Sequence, residues 1–123
     1  MKRLLYALLA CGSVLSSQAS AEMNLIMVEE NGCMWCARWN AEIAPIYPKT
    51  PEGQVAPLRR IEINEAIPAD LTFATPPHYT PTFILVDQGK EVSRIEGYPG
   101  DDFFWGLLNM MLVKASESTA SNG

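Results

Sequence analysis

The chain has 123 residues, 48% of them hydrophobic, which gives room for one domain with its own apolar core. Its 14 acidic and 9 basic residues leave a formal net charge of −5. That sign argues against nucleic acid or an anionic membrane surface as a partner, and otherwise serves to keep the domain soluble.

The first segment reads as an address rather than as part of the fold. Lys2 and Arg3 precede an apolar run over residues 4–15, and Ser16-Ser17-Gln18-Ala19-Ser20-Ala21 follows. A basic start, an apolar middle and an Ala-x-Ala end are the three parts of a secretory signal, so residues 1–21 are expected to be removed after Ala21. The apolar run is about twelve residues long, too short to span a bilayer that needs about twenty. Leu8-Leu9-Ala10-Cys11 also resembles a bacterial lipoprotein cleavage box, but Cys11 lies early for one and the Ala-x-Ala site reads better. Removal takes away Lys2, Arg3 and Cys11, leaving 7 basic and 14 acidic residues and only two cysteines. An exported compartment permits disulfides.

Leu25-Ile26-Met27-Val28 is a short apolar run without helical period, so residues 24–29 are expected as a strand buried on both faces. Directly behind it comes Asn31-Gly32-Cys33-Met34-Trp35-Cys36-Ala37-Arg38-Trp39. Two residues between the cysteines place them one helical turn apart, where their sulfurs can meet if Cys33 opens the helix. A helix N-terminus presents unpaired N–H groups and partial positive charge, which favour a thiolate over a thiol. Cys33 is therefore expected to be the attacking sulfur, and Cys36, one turn in, the sulfur that resolves a mixed disulfide. Exchange between sulfurs needs no bound cofactor, and none is expected. A static disulfide is the poorer reading, because so short a loop gains little chain entropy on closure. A copper- or zinc-binding module is the rival from another class, since the same spacing holds soft metals. It would have to recruit His78, the one histidine, or Met34 beside the two cysteines. No metal is expected.

Trp35, Trp39, Ile43 and Tyr47 recur at spacing four, a stripe on one side of the helix that follows Cys33. Trp39 suits the core, whereas Trp35, inside the motif, is the candidate for contact with a substrate. Pro45 is expected to end or kink this helix and residues 49–57 to form a loop. Residues 58–63 alternate around Ile61 and Ile63, as a strand does; parallel pairing with the first would complete a right-handed βαβ unit. Residues 69–74 could make one or two helical turns before Pro76-Pro77 stops them. Thr80-Pro81 then heads the β-prone run Thr82-Phe83-Ile84-Leu85-Val86, Asp87-Gln88-Gly89-Lys90 supplies a turn, and residues 91–95 return antiparallel. After a loop at residues 97–100, Asp101 or Asp102 is expected to cap a last helix over 103–113. That helix is apolar almost all round; core is its main destination and the excess would suit an interface. Residues 114–123 are Ser/Ala-rich and are expected to be a disordered tail after a single domain at 22–113.

Strand, Cys-x-x-Cys helix, strand, Thr-Pro-led hairpin and final helix together resemble the thioredoxin fold over about residues 24–113. The fold class expected is α/β: a minimal, glutaredoxin-sized thioredoxin-like domain, a βαβ unit followed by ββα, with a central mixed four-stranded sheet. The resemblance implies that Pro81 is cis and lies beside the cysteine pair, and that Thr80 offers backbone hydrogen bonds to a substrate chain. More closely, Cys33-Met34-Trp35-Cys36-Ala37-Arg38-Trp39, Tyr47-Pro48-Lys49-Thr50-Pro51-Glu52-Gly53 and Arg94-Ile95-Glu96-Gly97-Tyr98-Pro99-Gly100 resemble the SoxS family, the periplasmic thioredoxins of bacterial sulfur-oxidising systems. This implies a periplasmic reductant, fed electrons by a membrane thiol transporter of the CcdA type; a monomer is expected. Its implied target is the carrier cysteine of the SoxYZ complex. An oxidase or isomerase of periplasmic disulfides is the other redox reading. The sequence departs from common thioredoxins in having Gly32 before the pair and Met34-Trp35 within it. It also has Met27 where many carry a buried acid.

Overall fold

The computed structural model describes residues 23–122. The expected signal segment, its cleavage site and Cys11 lie outside the described residues. Four strands and three helices follow in the order β1 (Met23–Glu29), α1 (Met34–Glu42), α2 (Pro51–Val55), β2 (Leu58–Glu62), β3 (Thr82–Asp87), β4 (Lys90–Glu96) and α3 (Asp101–Ser121). The strands form one mixed sheet in the order β2-β1-β3-β4. β1 and β2 are parallel, with Val28 opposite Ile61, while β3 runs antiparallel to both β1 and β4. This is the expected βαβ unit followed by ββα.

Alternation along the strands divides the core in two. Leu25, Met27, Phe83 and Leu85 face α1 and α3, where Trp39, Ile43, Phe104, Leu108 and Met111 close over them. Trp39 sits at the centre of that layer, with Phe83 and Phe104 at 5.1 and 5.7 Å between ring centroids. Ile26, Val28, Ile84 and Val86 face the other way, and there Leu71 and Phe73 cover them without any helix. β1 is thus buried on both faces, as its unbroken apolar run requires.

Four local expectations are corrected by the structure. The segment at 69–74 is not helical, because its backbone is taken up by the neighbouring strand. Thr72 bridges in parallel to Lys90, its N–H donating to Gly89 O at 2.8 Å and its carbonyl accepting from the Glu91 N–H at 2.9 Å. The Glu91 carboxylate accepts the Ala74 N–H, and Arg94 both pairs with Glu91 and donates to Thr75 O at 2.7 Å. The stretch at 49–57 is not all loop: a 3₁₀ turn, Tyr47–Lys49, leads into α2. Thr50 caps α2 by accepting the Gly53 N–H at 3.0 Å, and Pro51 stands at the first helical position, where it is well tolerated. Finally, α3 continues through 114–121, the stretch expected to be disordered. Ala115 is buried against the core, and Ser118 and Thr119 return hydrogen bonds to the carbonyls four residues before them. Gly100, not Asp101 or Asp102, is the N-cap of α3; the two aspartates occupy its first turn, where they complement the helix dipole.

Candidate active site

The end of β1 is where the sheet hands the chain to α1. Gly32 turns it with φ +80°, a region that suits glycine, and Cys33 follows as the N-cap of α1 in extended conformation. The Cys33 carbonyl accepts the Ala37 N–H at 3.1 Å, so the first helical hydrogen bond closes on the motif itself. Cys33 Sγ accepts the Cys36 N–H at 3.1 Å, doing with sulfur what a serine oxygen does at an ordinary N-cap. The two sulfurs are joined as a disulfide, with the α-carbons 5.2 Å apart. The two ends of the bond differ in access: Cys36 is 3% exposed and packed in the core, whereas Cys33 is only partly buried. Met34 and Trp35, between them, are 74% and 46% exposed.

The head of β3 runs alongside this end of β1. Val28 pairs with Thr82, so the residues just before Thr82 lie beside the end of β1 that leads to Cys33. The Thr80-Pro81 peptide is cis. The Pro81 carbonyl accepts the Gly97 N–H at 2.7 Å. Thr80 Oγ1 donates to the Glu30 carboxylate at 2.9 Å, and the Glu30 carbonyl in turn accepts the Cys33 N–H. Glu30 therefore ties the Thr80-Pro81 turn to the turn that presents Cys33. Trp35 does not join the buried stripe: Trp39, Ile43 and Tyr47 are fully enclosed while Trp35 faces outward. The reason is that Cys36 occupies the inward slot of the first turn.

Beneath α1 the fully buried Met27 is approached by Arg60, whose Nη1 lies 3.4 Å from the Met27 sulfur. The same guanidinium donates to Glu29 at 2.7 Å and to Asn40 Oδ1 at 2.8 Å. Arg38, Glu42 and Tyr98 were not singled out by the sequence. Arg38 and Glu42, four apart on a helix, are a legible pair; their link to Tyr98, 56 residues away, is not. Hydrogen bonds from Arg38 and then Tyr98 hold the Glu42 carboxyl below the usual carboxylate range. Burial, and then the Glu42 hydrogen bond, push the Tyr98 hydroxyl above the ordinary tyrosine range. Among the described residues no three His, Cys, Asp or Glu side chains are grouped to hold a metal ion, and His78 stands exposed. No helix of the described residues is long and apolar enough to cross a membrane.

No protein-family model and no curated protein sequence matches the chain. Solved structures do. The reduced form of the periplasmic thioredoxin SoxS from Paracoccus pantotrophus is 48% identical, with a TM-score of 0.75, over 76% of this chain and 99% of that one. The thioredoxin Mala s 13 of Malassezia sympodialis is 16% identical over 74% of this chain and 76% of its own, with a TM-score of 0.50. Fasciola hepatica thioredoxin is 13% identical over 74% and 82%, with a TM-score of 0.52. The last two share the fold; the first shares the sequence as well.

Proposed function

Since the chain belongs to the thioredoxin family, as a relative of periplasmic SoxS and a thiol–disulfide oxidoreductase with a Cys-x-x-Cys disulfide, we propose that it is an exported reductant of protein disulfides. In the reduced protein the Cys33 thiolate attacks one sulfur of a partner disulfide. The partner's other sulfur leaves as a thiolate and takes a proton. Cys36, deprotonated, then attacks Cys33 Sγ, the mixed disulfide breaks, and the partner's second sulfur leaves as a thiol. Two electrons pass to the partner, and the Cys33–Cys36 disulfide remains for an external dithiol to reduce. By analogy with SoxS, the partner is a carrier of the SoxYZ type and the donor a membrane thiol transporter of the CcdA type.

The observation that carries this reading is the unequal burial of two bonded sulfurs at a helix N-terminus. The accessible one accepts a backbone N–H, an arrangement that favours a thiolate there. Thr80 and Pro81 form the adjoining wall, where an extended substrate chain would lie against backbone, and Trp35 the exposed rim. Cys36→Ser keeps the attacking sulfur and removes the resolving one. Incubated with a disulfide-blocked SoxYZ-type carrier, this variant should accumulate a covalent adduct through Cys33 that dithiothreitol releases. A variant that forms no adduct, in a protein that binds copper stoichiometrically, would instead favour a metal-binding module.

Export is the second part of the proposal. It rests on the basic, apolar and Ala-x-Ala segments of residues 1–21. Intact-mass measurement of the protein from its producing cell should give Glu22 as the first residue. A chain retaining Met1, or carrying a diacylglycerol on Cys11, would contradict cleavage after Ala21.

A further inference from the structure

The redox chemistry employs Cys33, Cys36 and the Thr80-Pro81 turn, yet the outward face of α1 carries a connected series of side chains that it leaves unused. Trp35, Arg38 and Glu42 stand three and four residues apart and share that face, alongside the buried Cys36 and Trp39. The guanidinium carbon of Arg38 lies 5.5 Å from the Trp35 ring centroid, within the range of a cation–π contact. Arg38 Nε–H donates to Glu42 Oε1 at 2.8 Å, and Glu42 Oε2 accepts the Tyr98 hydroxyl. Tyr98 is 7% exposed and packs edge-on against Phe104, so the series ends in the core.

Arg38 and Glu42 are 52% and 35% exposed, and ion pairs so placed add little to stability. What the series does is hold one face of the Trp35 indole against a guanidinium that is itself held at its other end. The same loop also governs the opposite wall of the site, because Gly97, next to Tyr98, donates its N–H to Pro81 O. We infer that Arg38, Glu42 and Tyr98 are positioning residues that act through Trp35. They fix the indole beside the Cys33 sulfur as a platform for the polypeptide that carries the disulfide. The partner this fits is an extended segment with its backbone against Thr80 and an apolar side chain on the indole. A rigid platform binds better than a free one, since less side-chain freedom is lost on docking. The inference rests on the redox reading above and adds how a protein substrate is held.

Insulin reduction, with dithiothreitol as the electron source, tests it through KM and kcat. Arg38→Met and Tyr98→Phe should each raise KM about two- to fivefold with a smaller change in kcat. Trp35→Ala should raise KM at least as much. In the Trp35→Ala background, adding Arg38→Met or Tyr98→Phe should change KM no further, because the group they act through is gone. A merely structural role for either residue would persist in that background. Unchanged KM in the single variants, or factors that multiply in full in the doubles, would overturn the inference while leaving the redox reading intact. A wild-type protein that leaves insulin unreduced would overturn both.

Discussion

Cys33→Ser is expected to abolish reduction of protein disulfides, with a loss of about a thousandfold or more in turnover, on the scale seen when a catalytic nucleophile is removed. The argument is local. Cys33 provides the more accessible sulfur of the pair, stands at the N-cap of α1 and accepts the Cys36 N–H. Serine can take over the cap, and its oxygen can accept the same N–H, so the fold should survive. What serine cannot do is attack a disulfide at neutral pH. The residual Cys36, 3% exposed, cannot take its place, because an incoming disulfide must reach the sulfur along the line of the bond it breaks. Thiol titration of the folded variant should find Cys36 slow to react. A Cys33→Ser protein that still turned over insulin at more than a few per cent of the wild-type rate would reassign the attacking sulfur.

Gly53→Ala is expected to cost about 3 kcal/mol of stability or slightly more, at the upper end of overpacking effects. A β-carbon at Gly53 would fall 1.8 Å from the Tyr47 carbonyl oxygen and 2.7 Å from its carbon, both backbone atoms that cannot rotate away. Tyr47 cannot yield either. Its ring is fully buried and stacked on Trp105 at 6.0 Å, its hydroxyl donates to Ala56 O at 2.6 Å, and its carbonyl accepts the Thr50 hydroxyl at 2.7 Å. Relief would therefore require α2 to lift from the 3₁₀ turn before it. Thermal unfolding should shift down by about 10–20 °C for a domain of this size. The effect belongs to the fold rather than to the chemistry, because Tyr47 and Gly53 follow the C-terminal end of α1 and Cys33 caps its N-terminal end. Insulin reduction by the still-folded variant at low temperature should stay close to wild type. A shift of less than a few degrees would mean that the close approach of Gly53 to Tyr47 does not constrain the fold.

The sheet is legible because each strand carries its own signal: an unbroken apolar run for β1, alternation around Ile61 for β2, Thr-Pro before β3, and Gln88-Gly89 between β3 and β4. The cysteine pair was readable because its meaning depends on spacing and on the strand before it, both of which are local. Elsewhere, contacts between residues distant in sequence decide the local structure. Residues 69–74 carry a tolerable helical composition, but Glu91 and Arg94 engage the backbone at Ala74 and Thr75 while Thr72 bridges to the sheet. Residues 114–121 look like a polar tail until Ala115 is placed in the core. The short helix α2 had a legible start in Thr50-Pro51, but three prolines nearby read more strongly as breakers. At the site itself, the Glu30–Thr80 and Glu42–Tyr98 bonds join residues 50 and 56 apart, and no periodicity announces such pairs. Glu30 in particular lies just past the end of β1, with no pattern around it, and bonds both to Thr80 and to the turn that presents Cys33.

The direction of electron flow is the claim on which the rest depends, and a redox titration tests it most directly. The reduced and oxidised forms would be equilibrated in dithiothreitol and glutathione buffers that together span both ranges, quenched with acid, alkylated and resolved by mass. The account predicts a single two-electron transition of the Cys33–Cys36 pair in the region of reducing thioredoxins, near about −270 mV. A midpoint at or above about −150 mV, towards the strong oxidants, would contradict a reductant and make the protein a donor of disulfides instead.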